Sequence, residues 1–94
     1  MADRTFDWDD DKSDRNYSKR GIDFETASLV FDDPAYCEAI DDRFDYGEER
    51  IRAVGMALGM LIAVIYTERY DHTRIISARP ATRKEIDDYY IQGS

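Results

Sequence analysis

The stretch that most constrains this chain is "MLIAVIYTER", Met60 to Arg69. Its apolar residues fall on both faces of an extended backbone, and such a strand is stable inside a sheet covered on both sides. The longest apolar run, Met60 to Tyr66, is 7 residues. A membrane helix needs ~20, so no membrane span is expected. The constraint is therefore a sheet with this segment at its centre.

The rest of the chain organises around that strand by a change of period. Phe6 and Trp8 alternate with aspartates, as a short edge strand would. Asp9 to Arg20 reads as a polar helix, with aspartates in its first turn, Lys19 and Arg20 in its last, and Gly21 as C-cap. Asp23 caps a second helix whose apolar face is Phe24, Ala27, Leu29, Val30 and Phe31, ended by Asp32-Asp33-Pro34. From Ala35 the period becomes two. "AYCEAI" is a strand, "DDRFDYGE" a loop, "RIRAVGMA" a strand, "LG" at 58–59 a turn, "YDHT" a turn and "RIISAR" a strand. Thr82-Arg83-Lys84-Glu85 is a capping box that opens a last helix, with Ile86, Tyr89 and Tyr90 as its packing face. Hairpin-length connections imply an antiparallel sheet, with the helices expected on one side. The fold class is α+β, in one domain spanning residues 1–94 with its core at about 6–90.

Of 94 residues, Cys37 is the only cysteine and His72 the only histidine. An internal disulfide or a cysteine metal cluster is thereby excluded, and no metal site is expected. Asp9, Asp10, Asp11 and Asp14 lack the spacing of a calcium loop, and helix capping accounts for them. No basic start followed by an apolar stretch precedes the domain, so the cytosol is the expected location.

Charge separates the two halves of this −8 chain. Residues 1–49 carry 16 acids and 6 bases; residues 50–94 carry 5 acids and 7 bases. Any contact with nucleic acid must be local, and the second half is the expected source. There Arg74, Arg79, Arg83 and Lys84 gather at a strand-to-helix junction. Arg50 and Arg52 share one face of their strand; strict alternation puts Arg74 with Ile76, and Ser77 with Arg79 on the opposite face. Should Arg52 and Arg79 be neighbours, they form a guanidinium clamp, whose planar forks suit phosphate oxygens. The alternative is structural pairing of strand arginines with Glu48, Glu49 or Glu68. Glu68 is either a partly desolvated general base or the partner of Arg52, Arg74 or Arg79.

The ordered segments "FDWDDDK…N…KRGIDFETASLVFDDP", "DYGEERIRAVG" and "IYTERYDHTRIISARPATRKEIDDYY" resemble the BrnT family of toxins, over about Phe6 to Tyr90. The resemblance implies the RelE-like ribonuclease fold: N-terminal helices, then an antiparallel sheet, then a C-terminal helix. It implies the toxin of a type II toxin–antitoxin pair, an RNA endonuclease that needs no metal or other cofactor and stops translation when free. The implied partner is a BrnA-type ribbon-helix-helix antitoxin that masks the toxin. Toxin and antitoxin are expected to assemble as paired dimers that repress their own operon, so operator DNA is met only through the antitoxin.

Carried over by position, Lys19 stands in the family's "K-H-G" turn, Arg50 and Arg52 on the "GEER" strand, Glu68 in "TER", and Arg74 and Arg79 on "RIISAR". The implied reaction is attack of a ribose 2′-OH on the adjacent phosphate, leaving a cyclic phosphate and a free 5′-OH. Arg79 and Arg52 would hold the phosphate and offset its developing charge. Lys19 and Glu68 would move protons or position groups; Arg50, Arg74 and Arg20 would bind substrate. One position departs from the family: Arg20 stands where its members read histidine. A histidine exchanges protons near pH 7, whereas arginine stays charged. If that proton matters, this chain is a weak nuclease that acts mainly as an antitoxin-binding module in operon autoregulation. If the histidine only binds phosphate, Arg20 replaces it.

Overall fold

The structure, a computed structural model, describes residues 4–41 and 47–93. Its elements are β1 (Phe6–Asp7), α1 (Asp10–Arg20), α2 (Phe24–Ser28) continuing as a 3-10 turn (Leu29–Asp32), β2 (Cys37–Ile40), β3 (Ile51–Ala57), β4 (Met60–Arg69), β5 (His72–Pro80) and α3 (Arg83–Gly93). They form the expected α+β domain. Most of the "DDRFDYGE" loop lies outside the described residues.

The five strands lie in the order β1-β5-β4-β3-β2, which puts β4 at the centre. Pairing is antiparallel throughout β2 to β5, while β1 runs parallel to β5 at one edge. Leu58 and Gly59 both have positive φ, 50° and 78°, the backbone of a tight two-residue hairpin. Glycine takes that conformation freely, and Leu58 adopts it with its side chain exposed to solvent.

Both faces of the sheet are covered, which corrects the expectation of helices on one side. Ala53, Ala57, Ile62, Val64, Tyr66, Ile75 and Ala78 pack beneath Ile22, Phe24, Ala27 and Val30. Val54 and Ala63 point the other way and pack against Tyr89 of α3. The cause is the central strand itself: successive residues of β4 are apolar, so neither face tolerates water. Close packing on the first face requires Gly55, where a Cβ would fall 2.8 Å from Val30 Cγ1 and 2.9 Å from the Tyr36 Cβ.

Polar groups anchor the helices. Asp9 caps α1 by accepting from the Asp11 and Lys12 N–H groups, and Gly21 closes its C-terminus at φ 74°. Ser13 is the buried side chain of α1. The helix is held by Ser13 Oγ, which accepts from Phe24 N–H at 2.9 Å, and by Asn16. The Asn16 amide donates to the carbonyls of Ile22 (2.7 Å) and Ala78 (2.9 Å) and accepts from Ala78 N–H (3.4 Å). It thereby satisfies the edge of β5 that β1 is too short to reach. Asp33, expected only to end a helix, staples three elements. Its carboxylate accepts from Ala35 N–H, from Met56 N–H (2.8 Å) on β3, and from the Tyr89 hydroxyl (2.6 Å) on α3. On α3, Glu85 and Tyr89 are buried whereas Tyr90 is 58% exposed, so Tyr90 is not part of the packing face.

Candidate functional site

Register decides which arginines meet. Ser77 pairs with Ile65 but Ile75 with Tyr66, so Ile76 is an extra residue in β5. This bulge breaks strict alternation. Arg74, Ser77 and Arg79 stand opposite Thr67, Ile65 and Ala63, which share one face of β4. The expectation that Arg74 faces away from Arg79 is corrected accordingly. Arg52, opposite Ile65 on the other flank of β4, lies on that same face.

Arg52 and Arg79 do converge, and the group between them is Glu85. Arg79 donates through both terminal nitrogens to the two Glu85 oxygens, at 2.7 and 2.9 Å. Arg52 Nε lies 3.3 Å from Glu85 Oε2. The same carboxylate accepts from Thr82 N–H (2.8 Å), while Thr82 Oγ1 accepts from Glu85 N–H (3.2 Å). The capping box and the arginine clamp thus share one side chain, 9% exposed. Burial pushes its carboxyl up, but the Arg79 fork, the Thr82 N–H and the charges of Arg79 and Arg52 outweigh it, holding the pKa at about 2. The Glu85 hydrogen bonds in turn raise Arg79 above its ordinary value. Glu85 is not among the expected partners, which are the glutamates next to neighbouring strands, Glu48, Glu49 and Glu68. The signal was its place six residues after Arg79, on a helix that folds back over the strand.

The remaining expected residues lie elsewhere. Glu68 is on the opposite face, across from Thr73, and its carboxylate accepts from Thr73 Oγ1 (2.9 Å) and Arg4 Nη1 (3.1 Å). Its partner is therefore Arg4, not Arg52, Arg74 or Arg79. Arg4 also donates to Tyr36 and lies 4.5 Å from the centroid of the Phe31 ring. Beside it the Tyr66 hydroxyl donates to Glu38, and burial together with that bond pushes the Tyr66 phenol far up. Arg74 is bonded to Asp7, whose carboxyl it holds below the ordinary range. Arg50 precedes β3 and accepts from Asp41 N–H through its carbonyl.

The junction that looked positive in sequence is neutralised in space. Besides Arg74 and Arg79, Arg83 is 3.5 Å from Asp87 and Lys84 is 3.2 Å from Asp88. Arg69 is 3.4 Å from Glu48. A small cavity of about 90 Å³ beside Arg52 is also lined by Glu38, Glu85 and Asp88. The cleft of about 390 Å³ near the β4–β5 hairpin carries Glu48, Glu49 and Glu68 against Arg69. Neither cavity favours an anion.

A different surface does. Lys12, Arg15, Lys19 and Arg20 of α1 border a groove of about 250 Å³ along β5, with Ile76 and Ser77 opposite them and no carboxylate in its lining. All four are exposed, and among the described residues none is in an ion pair. Arg20 Nη1 is 3.4 Å from the Ala78 carbonyl. This cationic patch belongs to the acidic half of the chain, not to the second half. Among the described residues no three His, Cys, Asp or Glu side chains converge as metal ligands would. No described helix is long and apolar enough to cross a membrane.

In this small α+β domain the groove at the edge of β5 is the surface whose charge suits a phosphate. Over residues 8–85 the sequence matches the family described as the ribonuclease toxin, BrnT, of type II toxin–antitoxin systems. The chain belongs to that family, and a toxin of this type has an antitoxin partner. A search of curated proteins gave no match.

Proposed function

We propose that the protein is an endoribonuclease that cuts RNA without a metal ion by in-line attack of a ribose 2′-OH on the adjacent phosphate. The observation that carries this reading is the family match across 8–85, which spans α1, α2, strands β2 to β5 and the start of α3. The bond from the 2′-oxygen to phosphorus forms as the bond from phosphorus to the 5′-oxygen breaks. A base takes the 2′-OH proton and an acid protonates the leaving 5′-oxygen. Arg52 and Arg79 hold the phosphate. Arg52 meets Glu85 through Nε at 3.3 Å, whereas Arg79 engages both Glu85 oxygens and must exchange one for a phosphate oxygen. Glu85, with its pKa at about 2, is a poor base and acts by orienting the two guanidinium groups. Lys19 is the proposed proton-handling or positioning group, and Arg20, Arg50 and Arg74 the further substrate ligands; Glu68, across the sheet and held by Arg4 and Thr73, is left a positioning role only.

In the cell the free protein stops translation, and a BrnA-type ribbon-helix-helix antitoxin masks it in a complex of paired dimers that represses the operon. The test is expression without the antitoxin. Growth arrest that is relieved by co-expressed antitoxin and by Arg52→Ala supports the reading; harmless, soluble expression at high level contradicts it.

A second reading has an observation in its favour. Arg20, at the position where the resemblance leads one to expect histidine, is turned toward the Ala78 carbonyl, and an arginine does not do the acid–base work of a histidine. On that reading the chain is a weak nuclease that serves chiefly to bind its antitoxin. Tight antitoxin binding without RNA cleavage, and a gain of cleavage in Arg20→His, would favour it.

A further inference from the structure

We propose that the groove between α1 and β5 is a track for the backbone of single-stranded RNA, lined by Lys12, Arg15, Lys19 and Arg20. This rests on the ribonuclease reading above and adds a binding surface separate from the arginine pair.

The first argument is the helix itself. Lys12, Arg15 and Lys19 are spaced by three and four residues, so they rise along one face of α1 beside Asn16, which bonds to β5. Like charges at this spacing repel and weaken a helix. Lys12 lies in the first turn, where the helix dipole disfavours a cation. Dipole stabilisation accounts for Lys19 and Arg20 in the last turn, and for neither Lys12 nor Arg15. An arrangement unfavourable to the isolated helix is relieved when a polyanion lies along it.

The second argument is contrast. In a chain of net charge −8, the other cavities described here contain carboxylates, and this one contains none. Cations elsewhere are held by acids: Arg69, Arg74, Arg79, Arg83 and Lys84 each have a carboxylate at ion-pair distance. The groove is where a phosphate chain meets positive potential. A protein occupant fits less well. Interface centres are depleted in lysine and enriched in aromatic residues, whereas no exposed aromatic side chain lines this groove: Tyr17 of α1 borders a different cavity, with Asp14 and Asp23, and Tyr90 lies on α3.

The third argument is direction. From Lys12 to Lys19 the helix rises about 10 Å, enough to meet two neighbouring phosphates. Ser77 lines the groove and shares its sheet face with Arg79 two residues later, about 7 Å along the strand. A strand held on α1 therefore passes close to the arginine pair. The bulge at Ile76 is what aligns Ser77 and Arg74 with that face.

The experiment uses a labelled 2′-O-methyl RNA oligonucleotide, which lacks the free hydroxyl that cleavage consumes. Its affinity is measured by fluorescence anisotropy over a range of salt for the wild type, Lys12→Ala/Arg15→Ala, and Arg83→Ala/Lys84→Ala, which removes equal charge from α3. For the first variant the expected result is affinity roughly ten-fold lower at low salt, with the slope of log affinity against log salt reduced by about 1.4. The α3 variant should keep the wild-type slope. Equal slopes for the wild type and the α1 variant would overturn the track. So would an α1 variant that keeps its RNA affinity but loses its antitoxin, which would assign the groove to a protein. Cleavage of unmodified RNA is measured alongside. Wild type that binds through the groove yet does not cut leaves the track standing and removes the ribonuclease reading; cutting with unchanged KM in the α1 variant does the reverse.

Discussion

At the residue scale, the protein turns on Glu85. Its carboxylate is the reciprocal half of the capping box of α3, accepting from Thr82 N–H, and at once the bridge between Arg52 and Arg79. Because its pKa is depressed to about 2 from an ordinary 4.5, it binds its proton more readily in the unfolded chain. Its contribution to stability is full above about pH 4.5 and is lost as pH falls toward 2. In urea melts the wild type should therefore lose on the order of 3 kcal/mol over that window, and Glu85→Gln should flatten that part of the profile. Glu85→Ala should cost about 2–4 kcal/mol at pH 7, because it leaves two half-buried guanidinium groups without their anion. Identical acid profiles for wild type and Glu85→Gln would refute the assignment. The capping box was legible in sequence and the convergence of Arg52 with Arg79 was legible as a condition on register. That one glutamate served both was not, since the link depends on how α3 folds back over β5.

At the element scale, polar side chains hold helices that apolar burial alone would not. Asn16 joins α1 to β5, and Asp33 joins the 3-10 turn to β3 and α3. The Asp33 bond and burial push the Tyr89 phenol up to about 12, so its hydroxyl remains a donor across the physiological range. Tyr89→Phe should cost about 1.5 kcal/mol in thermal or urea unfolding, the usual worth of a hydrogen bond to a charged acceptor. Asn16→Ala should release α1, speeding amide hydrogen exchange at Ala78 and in α1 before the strands respond. Uniform exchange across α1 and β4 in that variant would contradict the assignment. Gly55→Ala should destabilise by about 1–3 kcal/mol, since its Cβ would press on Val30 and Tyr36. Element order, caps and turns were readable from periodicity and capping residues. The bulge at Ile76 was not, because "RIISAR" alternates without interruption and only pairing with β4 reveals the extra residue.

At the scale of the whole molecule, net charge is a poor guide to surface charge. The acidic half contributes the cation-lined groove, and the basic half spends its arginines on carboxylates brought in by the fold. Sequence averages over 49 residues concealed a helix with acids and bases on different sides. The lysine and arginine spacing of α1 was nevertheless there to be read at helical period. Two-sided cover of the sheet was likewise implicit in β4, whose apolar residues exclude water from both faces. What remained out of reach was register, on which every encounter between arginines depends. The most direct test of the central claim is cleavage of bulk RNA by purified, antitoxin-free protein in EDTA, beside Arg52→Ala and Arg79→Ala. The account predicts fragments ending in cyclic phosphate, with the rate lowered about 10²-fold or more in either folded variant. Intact RNA after incubation with folded wild type, or equal cleavage by the variants, would contradict it.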